Sequence, residues 1–145
     1  MIYKKLNIGW NAEPNSPDVE LQRNGNNLIV RFYLNAFQFK NFNEEDKGEL
    51  IFTNCFKYSF NNCNDEGYYR GQYRYKYDSL PWGEFYELQH DWENDFHHDF
   101  IIMNSGVDKK RLKHFIFFFR DNTLECIAKD FEFTVLAASS NQEAT

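Results

Sequence analysis

The sequence predicts a mostly β protein, either an antiparallel sandwich or a strongly curved sheet, and three observations support this. Aromatic residues make up 19% of the chain, with sixteen Phe and nine Tyr. Apolar positions alternate with period two in several segments, and clusters of Asn, Asp and Gly separate these segments. Because aromatic and β-branched side chains pack well on pleated surfaces, this composition favours strands over helices.

Length and charge bound the organisation of the chain and its partners. With 145 residues, the chain has the size of one ordinary domain. We expect a single β-rich domain over residues 1–136 and a flexible C-terminal tail over residues 137–145, where small polar residues prevail. The net charge of −6 repels phosphate backbones at long range. It therefore argues against nucleic acid and indicates either a basic protein as the partner or a charge that only keeps the protein in solution.

Cysteine usage and hydropathy indicate the compartment. The chain has three cysteines, an odd number without a Cys-x-x-Cys pair, which does not predict a disulfide framework. The N-terminus lacks an apolar stretch of signal-peptide length, and no apolar run approaches the length of a membrane span. We therefore expect a cytoplasmic protein with reduced thiols and no membrane association.

The first strands of the prediction form a pair near the N-terminus. Residues 28–39 place Leu28, Val30 and Phe32 on one face, as a half-buried strand requires. The preceding sequence RNGNN is a turn signal, because Asn-Gly tolerates a positive φ. Residues 19–22 before this turn are the predicted partner strand.

Two segments in the middle of the chain alternate with the same period and predict a hairpin. Residues 49–60 place large apolar side chains on one face, and residues 67–77, GYYRGQYRYKY, place tyrosines at odd positions. The predicted cross-strand partners are Phe52 and Tyr75, Phe56 and Gly71, Tyr58 and Tyr69, and Phe60 and Gly67. Each pair joins the apolar face of one strand to the tyrosine face of the other.

The even positions of the second segment carry cations. Together with a lysine of the first segment they form a predicted basic stripe, which comprises Lys57, Arg70, Arg74 and Lys76. Interleaved aromatic and cationic residues are also typical of nucleic-acid platforms, where rings stack on bases. A strand sends alternate side chains to opposite faces, so we interpret the tyrosines as core residues and the stripe as a solvated face.

Residues 80–92 allow two interpretations. Asp78 or Ser79 as a cap and Pro81 in the first turn suit one short helix near residues 80–92. The neighbouring bulky aromatic side chains suit a short strand, which we favour for residues 83–88.

The C-terminal part of the chain predicts a central strand followed by a break. Residues 114–119, HFIFFF, carry apolar side chains on both faces, as does a strand that is covered on both sides. Apolar positions are even-numbered over residues 124–128 and odd-numbered over residues 131–135. This change of parity predicts a bulge or a break near Lys129.

A short segment at residues 90–99 gathers histidines and carboxylates, which are ligands of zinc and iron. The candidate ligands are His90, His97, His98 and Asp99. Their spacing matches no established metal motif, so we predict no metal, no cofactor and no catalytic residue. A metal-dependent or hydrolytic enzyme that uses this cluster is the alternative function.

Several segments carry a resemblance of general character. NDEGYYRGQYRY, LPWGEFYEL and HFIFFFRDNTLECIAKDFEF, in a short acidic chain, resemble small uncharacterised bacterial domain families. The chain is also similar in character to immunity proteins of bacterial toxin systems. This resemblance implies neutralisation of a basic toxin through an acidic surface, and it assigns no residue.

Acidic residues surround aromatic ones between residues 84 and 95 and form the predicted partner-binding surface. The candidates are Glu84, Tyr86, Glu87, Asp91, Trp92, Glu93 and Asp95. Aromatic anchors within a charged rim are typical of tight protein interfaces, and carboxylates speed the capture of a basic partner. We therefore expect a non-catalytic protein-binding domain, of an oligomeric state that the sequence does not indicate.

Overall fold

The computed structural model describes residues 2–62, 80–89, 91–94 and 100–138. These residues form ten strands in two antiparallel sheets that pack against each other. The predicted fold class, a mostly β protein with an antiparallel sandwich, is confirmed.

The larger sheet supplies one layer of the sandwich. Its strands are β1 (Ile2–Lys5), β5 (Lys57–Asn61), β6 (Phe85–Gln89), β7 (Ile101–Ile102), β8 (Lys113–Phe118) and β9 (Thr123–Ala128). Their order across the sheet is β1–β6–β8–β9–β5–β7. Strand β8 lies between β6 and β9 and is buried at every position after Lys113, which confirms the predicted central strand.

The smaller sheet supplies the second layer. Its strands are β2 (Glu20–Asn24), β3 (Asn27–Tyr33), β4 (Lys47–Thr53) and β10 (Asp130–Leu136), in the order β10–β4–β3–β2. The predicted pairing of β2 with β3 is confirmed. Gly25 makes the tight turn between them with a φ of 60°, a conformation that favours glycine.

The core between the sheets is largely aromatic. Trp10, from the loop before β2, stacks on Phe133 with ring centroids 3.9 Å apart. Across the same layer Phe85 stacks on Phe117 at 5.2 Å. Gly48 leaves room for the rings of Phe133 and Phe32, because a Cβ at this position would lie 2.8 Å from the first and 2.9 Å from the second. Stacked and tilted ring contacts of this kind let many aromatic side chains pack densely in one small core.

The predicted continuous strand over residues 49–60 is wrong. Strand β4 ends at Thr53, and β5 begins at Lys57 in the other sheet. Between them Asn54 adopts a φ of 46°, in the left-handed region that asparagine tolerates better than most residues. This conformation lets the chain leave one sheet and enter the other.

The predicted hairpin between residues 49–60 and residues 67–77 is also wrong at Phe52 and Tyr58, which pair with other strands. Phe52 has ladder partners on both sides, Leu28 in β3 and Phe131 in β10, so its predicted pairing with Tyr75 does not form. Tyr58 likewise pairs with Cys126 and Ile101 instead of Tyr69. Residues 67–77 themselves lie outside the described ranges.

Two further predictions on the order of elements are confirmed. The favoured strand over residues 83–88 is present as β6, and the only helical turn described near it is a short 3-10 helix at Trp92–Asn94. The predicted break near Lys129 is the point where the chain passes from β9 in the larger sheet to β10 in the smaller one.

Candidate functional site

The predicted metal cluster falls on residues that the structure does not describe. This holds for His90, His97, His98 and Asp99. Among the described residues, no group of three or more His, Cys, Asp or Glu is arranged to hold a metal ion. The metal hypothesis therefore stays a prediction.

Lys57 is the one member of the predicted basic stripe within the described ranges; Arg70, Arg74 and Lys76 lie outside them. Its side chain is half-buried among aromatic rings instead of lying on an open solvated face. The ammonium nitrogen lies 4.7 Å from the centroid of the Phe100 ring and 5.8 Å from that of Trp92. Cation–π contacts of this kind stabilise a partly desolvated lysine.

The start of β6 carries predicted partner contacts that have structural roles. Tyr86 is only 2% exposed, and its hydroxyl donates a hydrogen bond to the Pro81 carbonyl oxygen at 2.7 Å. Glu84 accepts a hydrogen bond from the side-chain amide of Asn7 and forms an ion pair with Lys5 at 3.4 Å. Tyr86 thus lies in the core and not on the surface, because β6 is covered on this face.

The other predicted partner contacts are divided between β6 and the 3-10 helix. Glu87 is half-buried and pairs across the ladder with Lys4 of β1. Trp92 is half-buried beside Phe56, whereas Asp91 and Glu93 are exposed. Asp95 lies outside the described residues. The seven candidates therefore do not share one face in the part of the chain that the structure describes.

A buried acid–base pair lies on the face of the larger sheet that points away from the smaller one. His114 of β8 and Glu125 of β9 are joined by a hydrogen bond of 2.7 Å between Nε2 and Oε2. Their side chains are 1% and 0% exposed. Burial raises the pKa of Glu125 well above its ordinary value, and the positive charge of Lys57 opposes this shift.

Ser59 of β5 lies next to this pair, because it is the ladder partner of Glu125. Its hydroxyl oxygen is buried and has no hydrogen-bond partner among the described residues. A nucleophilic triad needs the histidine between the serine and the carboxylate, whereas here the carboxylate occupies the middle position. This order and the burial of all three side chains fit a structural cluster better than a hydrolytic site.

Two cysteines lie in the core between the sheets. Cys55 and Cys126 are both free and fully buried. Burial, and secondly a hydrogen bond with Cys55, raises the pKa of the Cys126 thiol. A raised pKa keeps the thiol protonated and unreactive, so Cys126 has the character of a structural core residue.

An acidic cleft of about 420 Å³ opens at the end of the smaller sheet where β3 ends and β4 begins. Four carboxylates line it, those of Glu13, Asp18, Glu44 and Glu45. No described Lys or Arg lies among the lining residues. Phe37 stands at its rim with 87% of its surface exposed. The sequence did not reveal this cleft, because its carboxylates come from two loops that only the sheet brings together.

Comparisons of the chain with protein-family models, curated proteins and solved structures find no match. Within the described ranges, no helix is long and apolar enough to cross a membrane.

Proposed function

We propose that this protein is a non-catalytic binding domain that captures a basic segment of a partner protein. The observation that carries the proposal is the acidic cleft beside the exposed ring of Phe37. The immunity-like character of the sequence and the predicted cytoplasmic location belong to the same proposal.

Charge and exposure both favour a basic ligand at this cleft. Four carboxylates and no described Lys or Arg line the cleft, and the two lysines beside it, Lys40 and Lys47, lie over its rings. Lysine or arginine side chains of a partner would therefore relieve the remaining repulsion among the carboxylates. An exposed aromatic side chain acts as an anchor in a protein interface when the partner buries it. Lys40 already places its ammonium nitrogen 4.7 Å from the Phe37 ring centroid, so this ring accepts a cation.

The cleft is a better partner surface than the segment at residues 84–95 that the sequence suggested. Tyr86 lies in the core, and Glu84 is already paired with Lys5. Asp91 and Glu93 are exposed and stay predicted contacts for the edge of a larger interface.

Binding of an amidated peptide of alternating Lys and Arg, measured by fluorescence anisotropy at physiological salt, tests the proposal. We expect the variant Glu44→Gln/Glu45→Gln to bind about tenfold more weakly, and Phe37→Ala to weaken binding further. The matched control is Asp121→Asn/Glu132→Gln, which changes the net charge equally at exposed positions outside the cleft. Equal weakening by both double variants would show that net charge alone attracts the peptide.

A further inference from the structure

The opposite end of the smaller sheet carries a cleft of the opposite charge. Strand β4 begins at Lys47 near the acidic cleft and ends at Thr53, about 20 Å away at the usual rise of a strand. Asn54, the next residue, lines a cleft of about 410 Å³. Lys110, Arg111 and Lys129 also line this basic cleft.

These three cations lack a carboxylate partner within 4.0 Å in the part of the chain that the structure describes. Their neighbours in the sequence behave differently. Lys113 forms an ion pair with Asp130 at 3.8 Å, and the Lys109 ammonium lies 4.7 Å from the centroid of the Phe56 ring. In a chain with a net charge of −6, three cations without an ion pair around one cleft are an unusual concentration of positive charge.

We propose that the basic cleft binds a small organic phosphate as its dianion. Its three cations face one carboxylate, Asp108, which leaves a formal excess of two positive charges. A phosphomonoester carries between one and a half and two negative charges near neutral pH, about the same magnitude. Asp108 Oδ1 already accepts a hydrogen bond from the backbone nitrogen of Lys110 at 3.1 Å. The Arg111 guanidinium can donate two parallel hydrogen bonds to phosphate oxygens.

The other lining residues favour a small ester over a nucleic acid. Val107 and Leu112 give the cleft an apolar wall that suits the carbon part of an organic phosphate. No described aromatic side chain lines the cleft, so a base has no ring on which to stack. The negative net charge of the whole chain also repels a long polyanion more than a small one.

The test is a titration of ¹⁵N-labelled protein with glycerol 3-phosphate at constant ionic strength, followed by amide chemical shifts. We expect saturable shifts that centre on residues 54, 107–112 and 129. Acetate, a monoanion, should bind at least about tenfold more weakly, because it matches only half of the charge.

Substitutions within the same basic run separate the cleft from net charge. Lys110→Gln/Arg111→Gln should weaken binding of glycerol 3-phosphate by about tenfold or more, since charged hydrogen bonds are lost. Lys129→Gln, on a different segment, should independently weaken it. The control Lys109→Gln/Lys113→Gln removes the same charge outside the cleft and should stay within about twofold of the wild type.

Three results would overturn the proposal. One is the absence of saturable amide chemical-shift changes up to about 50 mM glycerol 3-phosphate, a concentration far above the Kd of a specific site. A second is an equal loss in the control variant. The third is binding of a single-stranded oligonucleotide at the same amides with higher affinity and a steep salt dependence, which would assign the cleft to nucleic acid.

Discussion

The outward faces of the two sheets each carry a cross-strand pair of a base and an acid, but in contrasting surroundings. His114 and Glu125 on the larger sheet are 2.7 Å apart, and their side chains are 1% and 0% exposed. Arg31 and Glu49 on the smaller sheet are also 2.7 Å apart, yet 34% and 14% exposed. The distances are equal and the burial is not. A comparison of the two pairs therefore separates the effect of distance on the strength of a pair from the effect of solvent exposure.

The neighbours of each pair explain the difference in burial. On the larger sheet, side chains such as Ile116 and Phe118 share the outward face and form a second apolar cluster with Leu80. On the smaller sheet, the same kind of face carries a further ion pair, between Lys47 and Glu20 at 3.7 Å. A charge that water reaches is screened, whereas a buried one depends on its partner. We therefore expect the polar pair on the larger sheet to affect stability more than the pair on the smaller sheet.

The largest expected effect comes from removing one member of the buried pair. His114→Ala would leave the buried Glu125 carboxyl group without its hydrogen-bond partner, at a cost of about 1–3 kcal/mol in the free energy of unfolding. Urea denaturation followed by fluorescence or circular dichroism measures this change.

The double variant His114→Leu/Glu125→Leu is the matched control for this prediction. It replaces both members with apolar side chains, so no polar group is left without a partner, and we expect a smaller loss than in the single variant. An equal or greater loss in the double variant would contradict the idea that the unpaired group causes the destabilisation.

The sequence predicted those features that local alternation controls, and it failed where the chain moves between sheets without a change of pattern. At Lys129 the parity of the apolar positions changes, so the crossing from β9 to β10 was visible. At Asn54 it does not change, because Phe52 before the crossing and Tyr58 after it both pack against the core between the sheets. Two strands in different sheets therefore looked like one continuous strand.

Candidate sites were less predictable, since they depend on register and on loops. His114 and Glu125 lie on neighbouring strands, and a polar residue within each apolar run was the only signal for them. Glu13 and Glu45 meet in the acidic cleft from loops far apart in the sequence. Aromatic residues beside carboxylates can thus lie in the core, as Tyr86 does, or on the surface, as Phe37 does.

A second, intermediate effect concerns pH. Burial raises the pKa of Glu125 in the folded protein, and the positive charge of Lys57 opposes this. The folded protein therefore holds this proton more tightly than the unfolded chain. Protonation of Glu125 therefore stabilises the folded state. This contribution to the free energy of unfolding is fully present below the pKa of a glutamate in the unfolded chain, about 4.3, and is lost as the pH rises through the pKa of Glu125 in the folded protein.

The variant Glu125→Gln keeps the shape of the protonated carboxyl group and removes its titration. Relative to this variant, the wild type should lose at most about 1.4 kcal/mol of unfolding free energy per pH unit above about pH 4.3. Urea denaturation of both proteins over a series of pH values measures the difference. A difference that stays constant, or one that moves in favour of the wild type as the pH rises, would contradict the raised pKa.

The smallest expected effect is the coupling between Arg31 and Glu49. A double-mutant cycle with Arg31→Gln and Glu49→Gln should give a coupling energy of about 0.2–1 kcal/mol, which falls when salt is added. The cycle subtracts the separate hydrogen bond from Arg31 to the Gln22 side chain at 3.1 Å, so it reports the ion pair alone. If the coupling instead exceeded about 2 kcal/mol and resisted salt, contact distance and not burial would set the strength of both pairs. The contrast between the two outward faces would then lose its physical basis.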